Sequence, residues 1–135
     1  MSVMAGAVER AVRTGVSPGE RLRTPSQGAA FTVRDITQDG VVLLFGKKET
    51  PTPLSWDTLE GVGDFLGGGR WVVIGSVFDV QGEAGTLDGY LKKYIKRATA
   101  GWVAALLERA GVIEIDRGRP ARVRMTSGFG GGVST

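Results

Sequence analysis

Hydrophobic and polar positions change their period several times along the chain, and each change marks an element. Val3, Ala7, Val8, Ala11 and Val12 recur at helical spacing within 2–14, which predicts a short amphipathic helix. Two turn-forming clusters follow, Ser17-Pro18-Gly19 and Thr24-Pro25-Ser26-Gln27-Gly28, and the stretch between them, Glu20 to Arg23, is predicted as a short edge strand. Phe31 to Ile36 alternates apolar and polar residues at period two. Asp39-Gly40 then leads straight into Val41-Val42-Leu43-Leu44-Phe45, so the two runs read as a β-hairpin.

Pro51 and Pro53 predict a loop after the hairpin. Ser55 is placed to cap a helix carrying Trp56, Leu59, Val62, Phe65 and Leu66, with Asp57 and Glu60 in its first turn and Gly67-Gly68-Gly69 as its stop. Trp71-Val72-Val73-Ile74 reads as a buried strand, which Val77 to Val80 would continue. A capped helix start accounts for Ser55-Trp56-Asp57 without a reactive site.

Two helical faces occupy the next segment: Leu87, Tyr90, Leu91, Tyr94 and Ile95, then Trp102, Val103, Leu106, Leu107 and Ala110. At about 100° per residue, one continuous helix would point these faces roughly 120° apart, so two helices with a break between Ile95 and Thr99 fit better. Trp102, Tyr90 and Tyr94 are expected to pack. Gly111 ends the second helix, and 112–115 and 121–125 form two strands around Asp116-Arg117-Gly118-Arg119-Pro120. The glycine-rich 127–135 has too little to pack and is expected to be flexible.

Composition narrows the chemistry. A chain of 135 residues is about one domain's worth. With no cysteine and no histidine it has no disulfide, no thiolate nucleophile, no cysteine-ligated zinc and no imidazole base. Neither glycine triplet, 67–69 or 130–132, has the lysine and Ser/Thr of a phosphate loop. The scattered carboxylates Asp35, Asp39, Glu49, Asp57 and Asp79 form no nuclease pattern, so no enzyme activity and no cofactor or metal is expected. No stretch approaches the ~20 apolar residues of a membrane span and no apolar leader precedes Glu9, Arg10 and Arg13, so a soluble, cytoplasmic protein without a membrane partner is expected. The net charge is +3. From Glu83 to Met125 there are nine Lys and Arg against five Asp and Glu, a surplus of four, so the basic balance is concentrated in this segment.

Helix, break, helix and arginine-rich hairpin together resemble the winged helix-turn-helix superfamily. The likeness is carried by Leu106-Leu107-Glu108-Arg109-Ala110-Gly111-Val112-Ile113-Glu114, which is similar to the passage from recognition helix to wing in bacterial regulators. It covers about a third of the chain. Where the family has a leading helix, this chain reads as a β-hairpin plus helix, so with the resemblance the expected fold is α+β: an N-terminal antiparallel β-hairpin plus helix packed on a C-terminal winged helix-turn-helix. In this division 1–30 is a helix and turn-rich segment, 31–126 one α/β domain, and 85–126 its winged-helix portion. Leu87 to Lys93 would be the supporting helix, Ala98 to Ala110 the recognition helix and Ile113 to Met125 the wing.

On that resemblance the expected partner is double-stranded DNA, bound by a regulator or by the DNA-reading module of a phage or defence system. Lys96, Arg97 and Thr99 would enter the major groove, and Lys92 and Lys93 would support them from the first helix. Arg117-Gly118-Arg119-Pro120 resembles the core of an AT-hook, placing Arg117 and Arg119 in a narrow minor groove with Arg122 beside them. A homodimer would be required for two-fold symmetric sites, although no dedicated dimerisation helix is present. The alternative is a non-catalytic protein-interaction adaptor of winged-helix shape, with the hairpin Phe31 to Phe45 offering an edge strand to a partner. The same cations would also serve as the solvated face of a helix and a surface hairpin, and basic charge alone does not separate DNA from RNA.

Overall fold

The computed structural model describes residues 6–25, 28–45, 50–67, 69–75, 85–95, 99–118 and 120–127. In chain order the elements are α1 (Ala7–Gly15), β1 (Arg21–Arg23), β2 (Ala30–Ile36), β3 (Gly40–Phe45), β4 (Thr50–Ser55), α2 (Trp56–Leu66), β5 (Val72–Val73), α3 (Leu87–Leu91), α4 (Ala100–Arg109), β6 (Ile113–Asp116) and β7 (Arg122–Met125). The described residues form a mixed α and β fold with two antiparallel sheets. No helix among the described residues is long and apolar enough to cross a membrane.

The predicted hairpin forms as β2 and β3 with Val33 opposite Leu43, and a bulge between Val33 and Asp35 shifts the register. Alternation then does what period two requires: Phe31, Val33, Val41, Leu43 and Phe45 are buried on one face. Strands β1 and β4 extend the hairpin to a four-stranded meander, β1-β2-β3-β4. This corrects two expectations. Residues around Pro51 and Pro53 are not a loop but an edge strand, in which Pro51 lies opposite Leu44 and Pro53 opposite Val42. An edge tolerates proline wherever the missing N–H would face outward. Moreover, the Phe31 to Phe45 hairpin offers no free edge, since β1 covers one side and β4 the other.

Helix α2 starts as predicted. The Thr58 N–H donates to Ser55 Oγ at 3.1 Å, and the Trp56 indole N–H donates to Thr37 O at 3.0 Å. Glu60, on the same helix, caps another one: its carboxylate accepts the Val8 and Glu9 N–H groups at the start of α1, at 3.2 and 2.8 Å. Helix α1 buries Val8 and Val12, with Val16 just beyond it, each contributing about 1.5–3 kcal/mol through burial. The N-terminal segment therefore shares the core of the remainder.

After α2 the chain forms β5, then α3 and α4, and returns as the hairpin β6–β7, whose second strand pairs with β5 to give the order β5-β7-β6. The turn that ends α4 is a Schellman motif: Gly111 at φ 81° donates to Glu108 O at 3.0 Å, and Val112 N–H donates to Leu107 O at 2.9 Å. One core joins all of this, including Val12, Phe31, Leu59, Leu91, Leu106 and Val123. Two aromatic expectations are corrected. Trp71, read as the start of a buried strand, is 41% exposed, and Tyr94, read as a packing residue, is 62% exposed. The predicted strand Val77 to Val80 lies outside the described residues, as does all but Ser127 of the tail 127–135 expected to be flexible.

Candidate interaction surface

The residues expected to meet DNA are found in very different environments. Lys92, in the turn after α3, has a side chain only 7% exposed, with Nζ 3.4 Å from the buried Asp88 carboxylate. Lys93 is exposed. Thr99 is buried, and its hydroxyl has no hydrogen-bond partner among the described residues. Lys96, Arg97 and Arg119 lie outside the described residues. Arg117 and Arg122 flank the β6–β7 turn, each with a half-exposed side chain.

Arginines on the hairpin are matched by carboxylates. Arg117 makes a two-pronged contact with Glu108 at 2.8 and 2.7 Å, and this hydrogen bonding raises the guanidinium pKa further. Arg122 lies 3.9 Å from Asp116, and Arg124 lies 3.3 Å from Glu114. Both pairs follow from register, because β7 sets Arg122 opposite Asp116 and Arg124 opposite Glu114. Arg124 also stacks over the Trp71 ring, 4.4 Å from its centroid. The outer face of the three-stranded sheet is thus largely neutralised from within.

Helix α4, the expected recognition helix, has no open face. Ala100, Val103, Ala104, Ala105, Leu106 and Leu107 are buried, and Arg109 is the one exposed residue of the helix. Three N-terminal segments cover the helix. Trp102 stacks on Phe45 of β3, Gly101 packs against Thr24 beyond β1, and Gly15 of α1 lies against Ala110. The Arg109 guanidinium closes the arrangement by pairing with Glu20. The sequence of α4, Ala-Gly-Trp-Val-Ala-Ala-Leu-Leu-Glu-Arg, carries the clue: before Glu108 it has no charged residue on any face.

The described surface includes one further concavity, an open cleft of about 280 Å³ between the β3–β4 end and Tyr94, with Asp39, Val42, Pro53 and Ile95 in its wall. Tyr94 ends a row of rings that runs from Phe65 through Tyr90. No group of three acidic residues among the described ones could hold a metal ion. No protein-family model, curated protein or solved structure matches the chain.

Proposed function

We propose that the protein is a non-catalytic interaction module built on a winged-helix scaffold whose second helix is used inside the molecule. Helices α2, α3 and α4, followed by the β6–β7 hairpin tied to β5, have the order this reading needs. The observation that carries it is the burial of α4: the helix is covered by α1, β1 and β3, and its one exposed residue, Arg109, is paired with Glu20. What remains outward is adapted to partners other than a major groove, including two exposed aromatic residues, Trp71 and Tyr94.

A second reading, duplex binding by phosphate contact, is favoured by a different observation: Arg117, Arg122 and Lys93 are exposed around the hairpin turn and the turn after α3. Fluorescence anisotropy with a random-sequence duplex at two salt concentrations separates the readings, with the Arg117→Ala/Arg119→Ala variant alongside. The interaction module gives no duplex binding at physiological salt. Binding that falls steeply with salt and weakens in the variant would overturn it in favour of phosphate contact.

A further inference from the structure

We propose that the outer edge of β1 docks an extended, carboxylate-bearing segment of a partner protein, which joins the four-stranded sheet as a fifth strand. The inference rests on the interaction-module reading and specifies the partner's chemistry.

The meander has two edges, and they are built differently. At β4, the Trp56 N–H donates to Asp39 O at 3.2 Å, which fixes the phase of the pairing. Leu54, Thr52 and Thr50 therefore turn their backbone groups to β3, while Pro51 and Pro53 face outward. Lacking N–H groups, these two prolines close the edge to an added strand.

At β1 the phase is fixed from both sides. Val33 N–H donates to Glu20 O at 2.8 Å, and Thr24 N–H donates to Ala29 O at 3.0 Å. Glu20, Leu22 and Thr24 thus face β2, and Arg21 and Arg23 turn their N–H and C=O groups away from the sheet. No described residue takes up these groups. The open edge is short, but it offers two donors and two acceptors in register.

Side chains decide which strand it accepts. Arg21 and Arg23 are exposed on either side of half-buried Leu22. Arg23 donates to Gly28 O at 2.9 Å, and Arg21 meets no carboxylate among the described residues. A second copy of β1 would set arginine against arginine, which disfavours self-pairing. A segment alternating acidic and aliphatic residues instead sets a carboxylate beside each guanidinium and an apolar side chain beside Leu22.

The test is anisotropy of labelled peptides with the full chain. One peptide alternates glutamate and valine, a second alternates lysine and valine, and a third is the acidic peptide N-methylated at the backbone positions that would pair. The acidic peptide binds and the basic one does not. Arg21→Glu/Arg23→Glu weakens acidic-peptide binding by about tenfold or more and reverses the charge preference, Arg21→Ala/Arg23→Ala weakens it without reversal, and N-methylation abolishes it. Absence of peptide binding, unchanged binding by the glutamate variant, or equal binding of the N-methylated peptide each overturns the edge assignment. A duplex titration on the same samples keeps the two levels apart. Peptide failure without duplex binding removes only the edge, whereas salt-steep duplex binding sensitive to Arg117 and Arg119 removes the interaction-module reading itself.

Discussion

The indole of Trp102 lies nearly flat on the ring of Phe45, with centroids 3.8 Å apart and 11° between the planes. The contact ties α4 to the meander and covers one face of the helix. Trp102→Ala removes both the stack and the packing beneath it, and is expected to cost about 3 kcal/mol in a chemical denaturation experiment. Trp102→Phe should cost less, because it keeps an aromatic ring on Phe45 and deletes an indole N–H that is buried without a partner among the described residues.

Glu20 joins the same interface through Arg109. Hydrogen bonding from Arg109, and next from the Ser17 N–H, holds its carboxyl below the usual value of 4.5. A carboxylate with a depressed folded pKa adds stability that is present above the unfolded value and lost as pH falls through the folded one. Stability measured from neutral to acidic pH should therefore fall less for Glu20→Gln than for the unchanged chain. At neutral pH the variant should be weaker by about 0.5–1 kcal/mol, the scale of a solvent-screened pair.

Pro51 and Pro53 keep the β4 edge free of outward donors. Pro51→Thr/Pro53→Val restores two N–H groups on a strand of high β-propensity. Sedimentation velocity at increasing concentration should show more self-association than the unchanged chain. Equal behaviour would mean that the prolines do not guard this edge.

Tyr90 is set apart by burial first, and then by Tyr94 and Asp64; together these push its phenol up to about 12. Its neutral form is also the hydrogen-bonding one, donating to Thr58 O at 3.0 Å. Because the folded pKa exceeds the ordinary value of 10, the associated stability is complete below the ordinary range and lost as pH rises through the folded value. A near-ultraviolet titration should show a late tyrosinate step that Tyr90→Phe abolishes.

Local rules made much of the fold legible. Alternation in Phe31 to Phe45, the Ser55 cap, the Gly111 stop and the β6–β7 hairpin all depend on neighbours in sequence, and all are present. The failures depend on tertiary context. Pro51 and Pro53 read as breakers because a sequence does not reveal which strand will lie at an edge. Trp71 opens an apolar run and Tyr94 sits at helical spacing, but nothing among the described residues packs over them far enough to hide them. The candidate site was the least legible. Lys92 pairs inward with Asp88 and Thr99 is buried, while α1 and the meander settle on α4 from residues more than fifty positions upstream.

The cap that Glu60 provides for α1 also imposes an order on biosynthesis. A helix of nine residues is too short to persist by itself in water. Its first N–H groups wait for a carboxylate more than fifty residues downstream, and part of its packing waits for α4. In a chain made from its N-terminal side, α1 emerges before the carboxylate that caps it and the helix it packs on, so it becomes secure only once those later residues have arrived.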